Sequence, residues 1–253
     1  MNPNSIKPLW KRVESWLAKR MPAEWLKSPG LTEAQICAAE EVLGHRLPDD
    51  VRESYKIRNG LRIDIYGFGY LLPLVRPKKQ LGTKFGNRNV VEEWRDYKKA
   101  IESLNWQTVP VKPKGPIADI YWTRDWIPLF DDLQGNMHWL DMNPPKRGVI
   151  GQIIDWDKLF GPTRICARSF RGWLNRLADE IEQDRYQLEV SDFSALLVRR
   201  SKWKRLQVQD ALAMQAAAEN TMPPPEPIKW TKEDADFFKK MAREVKRREK
   251  SKS

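Results

Sequence analysis

Residues 31–60, LTEAQICAAEEVLGHRLPDDVRESYKIRNG, constrain the fold of this chain more than any other stretch. Their spacing predicts two short helices joined by a tight corner. Thr32 is placed to cap the first helix, and Gln35, three residues on, completes a reciprocal capping box. Ile36, Ala39 and Leu43 share one face. Gly44 stands where a left-handed C-terminal cap is wanted. Pro48 suits the first position of the second helix, because its missing N–H would be unpaired there. Asp49 and Asp50 put negative charge at that helix's positive end, and Val51 and Tyr55 pack together four apart. Asn59-Gly60 ends it. Glu40 follows Ile36 by four and precedes Leu43 by three, so it projects with the apolar face. A carboxylate held there needs a partner or takes up a proton. It serves a site or, as we expect, an internal pairing with an arginine or backbone N–H groups.

Residues 6–20 predict an amphipathic helix with Ile6, Leu9, Trp10, Val13, Trp16 and Leu17 on its apolar face. Ile63, Ile65 and Tyr66 predict a strand that bends at Gly67 and Gly69. Residues 90–105 form a helix that buries Val91, Trp94, Tyr97, Ala100, Ile101 and Leu104. Residues 127–130 and 137–141 form a hairpin turning at 132–135, and 149–156 a third strand. Ser169 caps a helix with Phe170, Trp173, Leu174, Leu177 and Ile181 on one side. Residues 191–218 read as helical. The sum is an α+β fold: a mainly antiparallel twisted sheet packed in two layers against helices, with extra N- and C-terminal helices. Residues 1–24 are expected to be a separate amphipathic helix and 25–188 the globular domain. Residues 189–253 are then a basic helical extension with a Pro-rich linker at 221–227.

Composition narrows the function classes. No run of eighteen apolar residues exists, so no membrane-spanning helix is expected. The start, MNPNSIKPLWKR, lacks the apolar stretch of a signal peptide. Cys37 and Cys166 belong to no CxxC pair, so we expect a cytoplasmic protein with free thiols, no metal and no cofactor. The net charge of +11 is uneven. Residues 191–253 hold 15 Lys/Arg against 9 Asp/Glu, and residues 1–190 hold 30 against 25. A quarter of the length thus carries over half of the excess.

Only two histidines, His45 and His138, are present, and no nucleophile elbow, dinucleotide fingerprint or phosphate loop occurs, so no catalysis is expected. Asp125, Asp131, Asp132 and Asp141 cluster around the predicted hairpin without the spacing of a calcium loop. Strand alternation sends His138 and Asp141 to opposite faces. These acids therefore suggest a patch for a basic partner. Trp122 and Trp126 either anchor that partner or join the core. Arg199, Arg200, Lys202, Lys204 and Arg205 could meet phosphates, with Trp203 stacking on a base.

Taken in order, Ile36, Glu40, Leu43, Gly44, Leu47, Pro48, Tyr55, Asn59 and Gly60 resemble the SMI1/KNR4 family, also called the SUKH superfamily. Trp126-Ile127-Pro128, Gly135-Asn136, Leu140-Asp141, Gly148-Val149 and Ser169-Phe170 with Trp173-Leu174 continue the pattern. The resemblance covers roughly residues 25–186. It implies a non-catalytic protein-binding module. Bacterial members are often immunity proteins of polymorphic-toxin systems that bind and occlude a toxin domain, frequently a nuclease; fungal members regulate cell-wall synthesis. We therefore expect a bacterial immunity protein with Trp122, Trp126, Asp131, Asp132 and Asp141 as partner-binding residues. The alternative is a nucleic-acid-associated or regulatory scaffold protein that uses the basic tail.

Overall fold

The structure is a computed structural model that describes residues 5–77, 88–104, 110–191 and 194–202. Helix α1 (Lys7–Leu17) buries Leu9, Trp10, Val13, Trp16 and Leu17. A 3₁₀ turn (Ala23–Leu26) leads to the opening helix pair. Helix α2 (Glu33–Leu43) is capped as its sequence requires. The Gln35 N–H donates to Thr32 Oγ1 at 3.3 Å, the Thr32 N–H donates to Gln35 Oε1 at 3.0 Å, and Gly44 closes the helix at φ 74°. Helix α3 (Asp49–Ile57) starts one residue later than Pro48 predicts. Pro48 is its N-cap, with extended ψ of 147°. Glu40 takes the structural role: it accepts from the guanidinium of Arg52 and, at 2.7 Å, from the Leu47 N–H.

Eight strands follow: β1 (Leu61–Ile65), β2 (Gly69–Leu71), β3 (Trp126–Asp131), β4 (Met137–Asp141), β5 (Gln152–Asp157), β6 (Gly161–Ala167), β7 (Tyr186–Val190) and β8 (Ala195–Arg199). They form one sheet in the order β6-β5-β4-β3-β2-β1-β8-β7. Every pairing is antiparallel except β1 with β8, where Asp64 and Ile65 lie opposite Leu196 and Leu197. Pro128 sits inside β3 beside an irregular step in the register, the kind of place a central strand tolerates a residue with no N–H.

Helix α4 (Val90–Leu104) and helix α5 (Phe170–Glu182) cover opposite faces of the central strands. On one face Tyr97 of α4 meets Trp139 and Trp156 edge-on, with ring centroids 4.9 and 5.4 Å apart. On the other, Trp173 of α5 packs at 4.6 Å on Phe130, the register partner of His138. The centre is therefore three layers deep, not the two expected, and all residues of β3 and β4 are buried. This explains why WIPLFD and MHWLD do not alternate cleanly in polarity: strands covered on both faces read as near-continuous apolar runs.

The expected borders at 24 and 188 cut through this unit. Arg12 of α1 reaches Asp179 and Glu182 of α5 at 2.7 and 2.5 Å, and the Trp10 indole donates to Ser54 Oγ at 3.0 Å. Buried Arg58 bridges back to Glu14 at 3.1 Å and to the Leu26 carbonyl at 2.6 Å. The helix expected from residue 191 begins instead as strand β8, and β7 crosses residue 188. The one compact unit that the structure describes runs through this hairpin. The Pro-rich linker expected at 221–227 and the rest of the basic extension after residue 202 lie outside the described residues.

Candidate functional site

The residues singled out for partner binding are mostly internal. Trp126 is fully buried and Trp122 nearly so; both are core residues, not exposed anchors. Asp131 is fully buried and paired with Arg88, and its Oδ1 accepts the Leu133 N–H at 2.7 Å. Asp132 folds into its own turn, accepting the N–H groups of Gln134 and Asn136 at 2.7 and 3.0 Å. Asp141 is fully buried and accepts from Gln152 Nε2 at 3.0 Å and from the Asn143 N–H at 3.2 Å. Burial raises its carboxyl above the usual range, and these donors offset part of that. Asp131 and Asp141 occupy opposite ends of β3–β4, since Asp131 pairs with Met137 and Asp141 with Trp126. No acidic patch is formed by this set. His45 ties the corner after α2 to Asp125 at 2.9 Å, a loop-fixing contact.

The basic segment is likewise engaged inside the fold. Arg199 makes a bidentate pair with Glu180 at 2.6 and 2.7 Å and donates to Tyr186 Oη at 3.1 Å. Arg200 pairs with Asp184 at 3.0 Å. Lys202 is exposed. Trp203, Lys204 and Arg205 lie outside the described residues.

A feature the sequence reading passed over is the tip of the β5–β6 hairpin. Leu159 and Phe160 are each 68% exposed, yet their backbone is fixed. Asp157 Oδ1 accepts the N–H of Leu159 at 2.7 Å and of Phe160 at 3.1 Å. The preceding Lys158 is pinned three ways. Its Nζ donates to the Gln134 carbonyl at 2.6 Å, its N–H to Asn136 Oδ1 at 3.3 Å, and its carbonyl accepts from Tyr121 Oη at 2.5 Å. Gly161, at φ 71°, closes the turn where a Cβ would stand 2.9 Å from Val111. Two large apolar side chains thus project to solvent from a turn whose backbone is already ordered. The antiparallel order places the β1–β2, β3–β4 and β5–β6 turns at one end of the sheet. Tyr66, 39% exposed in the β1–β2 turn, stands on the same end four strand spacings away, about 19 Å.

The structure also brings together three side chains that the sequence keeps far apart: His138 on β4, Asp155 on β5 and Cys166 on β6, with ligand atoms all within 4.8 Å of one another. Among the described residues no other such group of histidine, cysteine and carboxylates occurs.

The helix pair, the β3–β4 hairpin and the first half of the Ser169-capped helix lie within residues 30–176, which match the family model described as SMI1 / KNR4 family (SUKH-1). The chain belongs to the SMI1/KNR4 family. Among its relatives is a protein described as "Cell wall biosynthesis/cell cycle regulator smi1" in Schizosaccharomyces pombe. It is 24% identical over 222 residues, which cover 81% of this chain and 42% of the relative. The "Glucan synthesis regulatory protein" of Neurospora crassa is 22% identical over 244 residues, covering 78% of this chain and 43% of that protein. The "Cell wall assembly regulator SMI1" of Saccharomyces cerevisiae is 23% identical over 206 residues, covering 71% and 41%. The chain spans less than half the length of the curated relatives it matches. No helix among the described residues is long and apolar enough to cross a membrane.

Proposed function

We propose that this SMI1/KNR4 domain is a non-catalytic docking module that engages a protein partner through the turn end of its sheet. The observation that carries this reading is the β5–β6 tip. Leu159 and Phe160 are exposed apolar side chains on a backbone that is already held by Asp157, Lys158 and Tyr121. A large apolar contact on a fixed turn gains affinity because little freedom is lost on binding. The candidate acids offer no competing chemistry. Asp131, Asp132, Asp141 and Glu40 are each occupied by internal donors, and Asp131 and Asp141 stand at opposite ends of β3–β4.

The relatives favour a regulatory partner over a toxin. Those with informative descriptions are described as regulators of cell-wall or glucan synthesis, and none as an immunity protein. Toxin occlusion would use the same surface, with a different occupant. The test is affinity capture of the full chain from its native cells, with wild type compared with Leu159→Asp/Phe160→Asp. Partners recovered with wild type and lost with the variant support the reading; identical recovery overturns it. Rescue of growth when the chain is co-expressed with a toxin encoded by a neighbouring gene would establish the immunity role instead.

A further inference from the structure

We propose that His138, Asp155 and Cys166 form a binding site for one divalent transition-metal ion of borderline softness, with zinc as the best fit. The three residues lie on consecutive neighbouring strands. His138 stands opposite Asp155, and Asp155 opposite Arg164. A bulge brings in the third: Ile153 and Ile154 face Ala167 and Ile165, so Cys166 is the extra residue of β6. Bulges re-aim side chains and are common beside sites. Arg176 of α5 secures this one by donating to the Cys166 carbonyl at 3.1 Å.

The donor set suits zinc in kind and in charge. Imidazole, carboxylate and thiolate are its usual ligands, and Asp155 and Cys166 together supply two negative charges. Ligands around a tetrahedral zinc stand about 3.6 Å apart, so a site with all atoms within 4.8 Å needs to contract by roughly an ångström. His138 Nε2 faces Asp155 Oδ1 at 3.6 Å, too long for a hydrogen bond, and its buried Nδ1 has no hydrogen-bond partner. The ring is held in place by stacking on Phe68, with centroids 4.5 Å apart. Cys166 ligates as its thiolate. Binding therefore forms a metal–sulfur bond, breaks the S–H bond and releases one proton to solvent. Asp155 and Cys166 are half-buried, so a water would complete the proposed coordination. One group competes: Arg164, 67% exposed, donates from Nε to Asp155 Oδ2 at 3.2 Å and also interacts with Cys166, so an ion must displace it.

The site is independent of the docking surface, and its test does not need a partner. The full chain, stripped with chelator, is titrated with Co²⁺ and then challenged with Zn²⁺. One equivalent should bind, with a thiolate-to-cobalt charge-transfer band that zinc abolishes. Cys166→Ser removes the band, Asp155→Asn weakens binding by about tenfold or more, and Arg164→Gln tightens it. Cys37→Ser leaves all of this unchanged, and Cys166→Ala, which carries no hydroxyl to misplace, repeats the loss. Zn²⁺ should raise the melting temperature of wild type and not of Cys166→Ser. No saturable cobalt binding by wild type, or a band that survives Cys166→Ser, overturns the proposal.

Discussion

Replacing Glu40 with alanine tests whether the opening helix pair is held as the structure describes. Arg52 is 6% exposed, and its guanidinium is shared between Glu40 and Glu33. The Glu40 carboxylate holds that guanidinium protonated well above its ordinary range. Its other oxygen takes the Leu47 N–H at the corner between α2 and α3. Removing one partner of a buried ion pair costs about 3–5 kcal/mol. Glu33, half-exposed, remains on Arg52 and pulls the figure to the low end of that range. The orphaned Leu47 N–H adds about 1 kcal/mol. The expected loss is therefore about 4 kcal/mol, read by urea unfolding followed through tryptophan fluorescence. Arg52→Met should also destabilise, and the double variant should cost at least about 1 kcal/mol less than the sum, because each single change strands the other partner. A loss under about 0.5 kcal/mol for Glu40→Ala, or additivity within about 0.3 kcal/mol, would refute the pairing.

Trp139→Ala should cost about 3–5 kcal/mol, since the ring is fully buried between Tyr97, Trp122 and Trp156; a small loss in the same unfolding assay would mean the central core is loose. Leu159→Asp/Phe160→Asp should change stability by no more than about 0.5 kcal/mol, because neither side chain is packed; a larger loss would show that the tip is structural. Burial raises the Asp141 carboxyl above its ordinary 3.8. The folded chain then keeps this proton after the unfolded chain has released it, so the contribution is complete below pH 3.8 and is lost as pH rises through the folded value. Asp141→Asn should remove that downward slope from the acid-range stability profile; an unchanged slope would count against a buried, raised carboxyl. A chain ending at residue 188 should aggregate on purification where one ending at residue 202 does not, because the first lacks β8 and bares the edge of β1; equal solubility would contradict the pairing.

Local chemistry made much of this fold legible. The capping box at Thr32 and Gln35, the left-handed Gly44 and the Ser169 cap are instructions that depend on a few neighbours, and each is realised. The β3–β4 hairpin was readable because Asp132 and Gly135 supply turn chemistry between two apolar runs. Strand β8 was not readable. ALLVR is too short for periodicity to separate helix from strand, and its state is decided by β1, some 130 residues away. The two-sided burial of β3 and β4 was hidden for a related reason: it depends on α4 and α5 closing from opposite faces. Asp131 and Asp141 looked like surface acids because a sequence shows a charge but not the Arg88 or Gln152 that satisfies it. The meeting of His138, Asp155 and Cys166 has no linear signature, since register and a bulge create it. Leu159-Phe160 carried a usable hint, two large apolar residues between Asp157-Lys158 and Gly161-Pro162.

The lone parallel pairing also sets a schedule for the chain as it leaves the ribosome. Strands β1 to β6 can form in the order they emerge, each beside the one before. The outer edge of β1 cannot be covered until about 130 further residues have been made. At about 5–20 residues per second, that edge stays open for roughly 7–26 s. During this interval Leu61, Ile63 and Ile65, buried in the finished protein, flank an unsealed row of backbone donors and acceptors. A chaperone that holds nascent sheets open would find its longest-lived substrate here, and slow codons between β6 and β8 would lengthen the exposure.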